Sequence, residues 1–120
     1  MPPLREQSHR VERVADLIRR ELAGLLERDV KDPRVGFVTI TRVEVTRDLR
    51  SARVAVTILG DEGQKKDSLT GLAAAHGFLR HELAQRLGLR YTPEIEFHID
   101  RTLESEQRIE ELLRQIHQKP

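Results

Sequence analysis

Residues 67–100 read DSLTGLAAAHGFLRHELAQRLGLRYTPEIEFHID, and this stretch decides the fold. Leu69, Leu72 and Ala73 fall at helical spacing, the pattern breaks at Ala75-His76-Gly77, and Phe78, Leu79, Leu83 and Leu87 resume it. Glycine inside a helix costs roughly 1 kcal/mol relative to alanine, so Gly77 marks a place where the chain bends. Thr92-Pro93 ends the helical run, and Ile95, Phe97 and Ile99 then alternate with polar residues as a strand. The polar side of the bent pair carries His76, Arg80, His81, Gln85, Arg86 and Arg90 against one acid, Glu82. A bent helix pair with a cationic side points to an anionic partner.

Before this stretch, Val11, Val14, Ala15, Ile18, Leu22, Leu25 and Leu26 predict an amphipathic helix capped by Ser8 and stopped near Arg28 or Asp29 by Lys31-Asp32-Pro33-Arg34. Phe37 to Val45 and Ala52 to Leu59 are rich in valine, isoleucine and threonine and predict an antiparallel hairpin. Its link from Thr46 to Ser51 lacks Asn-Gly or Asp-Gly and is longer than a two-residue turn. Gly60 to Lys66 reads as a loop, with Asp67 or Ser68 capping the next helix. Ile109, Leu112, Leu113 and Ile116 predict a C-terminal amphipathic helix capped by Thr102 or Ser105, and the tail from Gln118 is expected to fray. The expected architecture is α+β and two-layered: a three-stranded sheet whose helices bury their aliphatic stripes on one face.

Composition narrows the function. The 120 residues make one domain, with an ordered core expected over about 8–113 and flexible tails. Net charge is +1 with 34% charged and 3% aromatic residues, so the placement of charge matters more than its sum. There is no cysteine, which removes disulfides, thiol catalysis and cysteine-ligated zinc. No apolar run approaches the roughly 20 residues of a membrane span, and a soluble, cytoplasmic protein is expected.

Catalytic and metal signals are weak. His9, His76, His81, His98 and His117 are scattered, and His76 and His81 miss the i, i+4 spacing of two ligands on one helix face. Glu94, Glu96 and His98 share a strand face, but alternating charge is what an exposed strand normally shows. Neither a glycine-rich phosphate loop nor a nucleophile elbow occurs. The expectation is therefore no enzyme, no metal, no cofactor and no small-molecule substrate. Base stacking needs exposed rings, and Phe37, Phe78 and Phe97 all fall on expected core faces, which leaves Tyr91.

The ordered set of stretches resembles a known family. The element order is that of a type II KH domain, but Ala75-His76-Gly77 stands where such domains carry a Gly-x-x-Gly loop. This Ala-x-Gly kink is similar to that of the bacterial ribosome-binding factor A family. So are His9-Arg10-Val11, Lys31-Asp32-Pro33-Arg34-Val35-Gly36, Val43-Glu44-Val45-Thr46-Arg47-Asp48-Leu49 with Ala52 and Val54, and Gly77-Phe78-Leu79-Arg80. Leu89-Arg90 with Pro93, Phe97 and Asp100, and Arg108-Ile109 with Leu112-Leu113, complete the set, while Glu106 departs from the family's usual glycine. The resemblance implies a KH-like assembly factor. It would bind the immature small (30S) ribosomal subunit and its 16S rRNA, support late maturation and 5′-end processing, and matter for growth in the cold.

The rRNA-binding candidates are Ala75, His76, Gly77, Arg80, Arg86 and Arg90, with Arg10 and Arg13 on the first helix. Glu104, Glu106, Glu110 and Glu111 make the last helix the acidic side, away from RNA. A monomer is expected. Ala75 and Gly77 can be small for either of two reasons, tight helix packing or close approach of rRNA backbone to the kink. The competing readings are a protein-interaction module that pairs through an open sheet edge, and a small hydrolase for which no constellation is present.

Overall fold

The computed structural model describes residues 4–118, with the side chains of residues 9–102 and 109–116. The elements run α1 (Leu4–Arg28), β1 (Val38–Val45), β2 (Ser51–Ile58), α2 (Glu62–Ala74), α3 (His76–Leu87), β3 (Glu94–Ile99) and α4 (Thr102–Gln118). The α+β class, the strands and the helix break are as expected. Two boundaries move. Helix α1 starts at Leu4, so Ser8 lies within it and is not its cap. Helix α2 starts at Glu62, because Asp61 caps it: the Asp61 carboxylate accepts from Gln64 N (2.8 Å), and Gln64 Oε1 accepts from Asp61 N (2.8 Å). The predicted Gly60–Lys66 loop is thus mostly the first turn of a helix.

Strand β2 is central, antiparallel to β1 and parallel to β3. Its Ala52, Val54, Val56 and Ile58 point into a core shared with Val14, Ile18, Leu22 and Leu25 of α1 and Leu79, Leu83 and Leu87 of α3. Along β1 the inward positions are Val38 and Ile40, then Val43 and Val45, a change of parity produced by a bulge at Thr41. The extra residue is used: Thr41 Oγ1 donates to Asp100 Oδ2 (2.7 Å) and to Ala55 O (3.2 Å), fastening the edge strand to the end of β3.

The family-like stretch after α1 has a structural task. Asp32 accepts from Arg34 N (2.9 Å) and from the Arg34 guanidinium (2.6 Å), which closes a turn after the helix. Buried Ser68 of α2 then clasps the turn, accepting from Gly36 N (3.1 Å) and donating to Arg34 O (3.3 Å). Gly71, one helical turn on, lets α2 lie against it. A methyl group there would sit 2.7 Å from Val35 Cγ2 and 3.4 Å from Val35 N.

Other expectations fail. Phe37 lies just before β1, where its carbonyl accepts from Leu59 N (3.1 Å), and is 81% exposed, and Phe78 also faces outward, so neither fills the core. The apolar stripe of α4 does not lie on the sheet: Ile109, Leu112, Leu113 and Ile116 are between 51% and 66% exposed. Helix α4 begins at Thr102, whose N–H donates to Asp100 Oδ1 (2.9 Å). The side chains of Ser105, Glu104 and Glu106 lie outside the described residues.

Two carboxylates are held at about 2: Asp100 by hydrogen bonds from Thr102 and Thr41, and Asp32 by those from Arg34. An unfolded aspartate titrates near 3.9, so these contacts stabilise the fold above roughly pH 4 and lose that contribution as pH falls toward 2. The urea midpoint is therefore expected to fall between pH 5 and pH 2.5. Asp100→Asn should lower the midpoint at pH 5 and shrink the fall, whereas an identical pH profile would show that the Asp100 contacts contribute nothing.

Candidate nucleic-acid interface

The chain bends at one residue. Ala75 has φ −84° and ψ 0°, closes α2 by donating to Gly71 O (3.0 Å), and opens α3 by accepting from Leu79 N (2.9 Å). No loop intervenes. Ala75 gives α3 no side-chain cap, so the helix opens without a side-chain acceptor for its first amides. The two small residues differ in their surroundings. Ala75 packs against the core, whereas a methyl group on Gly77 would meet no atom within 4 Å. Tight packing therefore does not explain Gly77; that role belongs to Gly71, which the sequence reading passed over.

The cationic side of α3 is less free than its own sequence implies. Arg80 Nη1 lies 2.7 Å from Glu94 Oε1, and His76 Nε2 lies 3.2 Å from Glu94 Oε2. Arg86 meets Glu21 of α1 at 3.4 Å and Glu82 at 3.5 Å. The carboxylates of Glu94 and Glu21 come from other elements, invisible to the periodicity of one helix. Glu94 is the first residue of β3, so the grip on His76 and Arg80 ties the kink to the entry of that strand. Arg10 and Arg13 are exposed on α1, and among the described residues no hydrogen bond or ion pair joins them to the kink.

Arg90 takes part in a different group. Helix α3 ends at Gly88 in a left-handed conformation (φ 61°), and the chain then passes Arg90 and Tyr91 to β3. The guanidinium carbons of Arg90 and Arg50 lie 5.8 Å and 5.5 Å from the centre of the Tyr91 ring. Tyr91 is the ring the sequence leaves for base stacking, but neither its pairing with Arg90 nor the presence of Arg50 was expected. Arg50 and Tyr91 meet because β2 and β3 run parallel from the same end of the sheet, with Ser51 opposite Glu94.

Elsewhere the chemistry is sparse. Among the described residues no group of three or more His, Asp or Glu is placed to hold a metal ion. Glu94 is engaged by His76 and Arg80, and His98 Nδ1 is buried without a partner, so Glu94, Glu96 and His98 do not form a joint site. A groove of about 670 Å³ between α1 and β1 is lined by Ala23, Leu26, Val30, Phe37, Val38 and Ile40, with arginines 19 and 20 at its rim. No described helix is long and apolar enough to cross a membrane.

Comparison with known proteins agrees with this architecture. The sequence model of the family "Ribosome-binding factor A" matches residues 10–113. A ribosome-binding factor A of Desulforamulus reducens is 44% identical over 110 residues, covering 92% of each chain. The solution structure of a Thermotoga maritima protein superimposes with a TM-score of 0.68 at 35% identity, covering 82% of this chain and 90% of that one. A Thermus thermophilus ribosome binding factor A, fitted as a homology model into the cryo-EM map of a 30S complex, gives a TM-score of 0.58 at 29% identity over 70% of this chain and 88% of its own. With the family model spanning residues 10–113, a relative 44% identical over 92% of the chain, and the fold shared with the solved structures, this chain belongs to the ribosome-binding factor A family.

Proposed function

We propose that this protein is a non-catalytic, cytoplasmic assembly factor of KH-like fold. It binds the immature small ribosomal subunit through 16S rRNA and supports late maturation, including 5′-end processing, most of all in the cold. The observation that carries the reading is the open kink: small residues, unobstructed space at Gly77, and the uncapped start of α3, whose amide dipoles favour phosphate. The relative fitted into a 30S complex supports the choice of partner. In this reading Ala75, His76 and Gly77 receive rRNA backbone, and Arg80, Arg86, Arg90, Arg10 and Arg13 supply attraction. Arg80 and Arg86 would exchange or share their carboxylate partners on binding. The protein acts as a monomer.

Sucrose-gradient fractionation tests this directly, with co-migration with free small subunits and not with complete ribosomes as the expected result. The same gradient with Gly77→Ala tests the kink. Alanine is sterically free at this position and is the better helix former, so stability should stay level or rise by up to about 1 kcal/mol. Losing one charge-assisted backbone contact is worth about 1.5–3 kcal/mol, so subunit affinity should fall on the order of 10- to 100-fold. Unchanged affinity would remove the kink from the interface.

A further inference from the structure

The hairpin turn between β1 and β2 is built with more restraint than a connection needs. Thr46 Oγ1 donates to Asp48 Oδ1 (2.6 Å), Arg50 N donates to the same oxygen (3.1 Å), and Leu49 is held at φ 60°, a conformation unusual for a branched side chain. Arg50 O in turn accepts from Glu94 N (2.8 Å). The result is a fixed backbone that presents the Arg50 side chain to Tyr91 from one side of the sheet's end while Arg90 approaches from the α3–β3 loop.

Tyr91 remains 60% exposed in spite of its two guanidinium neighbours. Among the described residues neither guanidinium forms a close ion pair of the kind that holds Arg80 and Arg86, although Arg50 lies within electrostatic reach of the Asp48 carboxylate. A guanidinium held over an aromatic ring does not consume its N–H donors in that contact, so the donors stay available for phosphate oxygens. A largely exposed aromatic residue flanked by two guanidinium groups matches one chemical object, an unpaired nucleotide: the phosphodiester meets the guanidinium groups and the base lies against the ring. In duplex RNA the base faces are closed by stacking, so the ring has nothing to accept there.

We infer that Arg50, Tyr91 and Arg90 form a site for one unpaired nucleotide of single-stranded RNA. The site rests on the rRNA-binding reading and extends it. Glu94 joins the two parts, since its N–H holds Arg50 while its carboxylate holds His76 and Arg80 at the kink. A strand whose backbone crosses the kink has a base-accepting site beside it.

The test uses a fluorescein-labelled single-stranded RNA of mixed sequence and a duplex of the same length, titrated by anisotropy at several salt concentrations. The full chain is compared with Tyr91→Leu, Tyr91→Phe and the double variant Arg50→Gln/Arg90→Gln, each checked for an unchanged far-UV spectrum and sedimented with small subunits. Tyr91→Leu should weaken single-strand binding on the order of 10-fold and leave duplex binding nearly unchanged, while Tyr91→Phe keeps wild-type affinity. The double variant should lower single-strand affinity about 10- to 100-fold and reduce the salt slope by roughly 1.4, the value for two phosphate contacts on a single strand. Equal affinity of folded variants and wild type for single strands, equal losses on single strand and duplex for Tyr91→Leu, or no single-strand binding by the wild type would each overturn the site. If one of these results comes with wild-type sedimentation on small subunits, the site alone is wrong. If the wild type itself fails to sediment with small subunits, the assembly-factor reading is wrong.

Discussion

Leu83→Ala is expected to lower folding stability by about 2–5 kcal/mol, the largest effect of any substitution considered for this fold. Leu83 is fully buried on α3, within the cluster where Ile18, Leu22 and Leu25 of α1 meet Val54 and Val56 of β2. It therefore sits where both helices and the central strand converge, and a cavity there loses contacts to several elements together. Total stability for a domain of this size is roughly 5–15 kcal/mol, so the variant is expected to be close to unfolding at 37 °C. Urea denaturation followed by circular dichroism reads the loss as a lower midpoint with an unchanged slope. Leu83→Met, which conserves volume, should cost less than about 1.5 kcal/mol. Equal midpoints for Leu83→Ala and wild type would mean that α3 is not seated on this core.

Gly71→Ala carries the second large effect, of opposite sign to that of Gly77→Ala. In an isolated helix alanine is favoured over glycine, yet here the added methyl group would lie 2.7 Å from Val35 Cγ2, far inside ordinary contact. Relief is not simple, because Val35 is β-branched and stiff at χ1, Arg34 Cβ lies 3.3 Å from the same point, and the turn is tied to Ser68 on both sides of Val35. Either α2 lifts from the Asp32–Gly36 turn or the Ser68 hydrogen bonds lengthen. Overpacking of this kind costs about 1–3 kcal/mol. A parallel thermal melt of Gly71→Ala and Gly77→Ala decides the matter, with the first expected to melt lower than wild type and the second at or above it. If both shift alike, helix propensity governs and the clasped turn does not.

These two glycines show what the sequence could and could not reveal. Both lie in helical patterns, and nothing local tells a glycine that admits a neighbouring loop from one that leaves a surface open. The break at Ala75 was legible because the apolar spacing of Leu69 and Leu72 fails to continue through His76 and Gly77. The strands were legible because Val54, Val56 and Ile58 alternate so regularly. The start of α2 was not, since Glu62 to Asp67 contains no apolar residue from which a period could be read, and its signal was the Asp61–Gln64 capping pair instead. Helix α4 shows a third limit: its stripe of Ile109, Leu112, Leu113 and Ile116 announces an amphipathic helix but not the surface it meets. Charge was the least legible, because Glu94 and Glu21 reach Arg80 and Arg86 only once the fold is made, and Arg50 meets Tyr91 only across two parallel strands.

The mixed sheet also imposes an order on synthesis. As the chain leaves a ribosome, α1 and the β1–β2 hairpin are complete once Ile58 has emerged, and their pairing is local. Strand β2 is then central in sequence but still an edge in space. Its second row of backbone donors and acceptors waits through all of α2 and α3 for Glu94–Ile99. During that interval the nascent protein carries an open strand bearing Val54 and Val56, the feature that invites pairing with another chain. A chain terminated before Glu94 would keep that edge permanently open, so such a product is expected to pair wrongly or aggregate and not to serve as a shorter version of the factor.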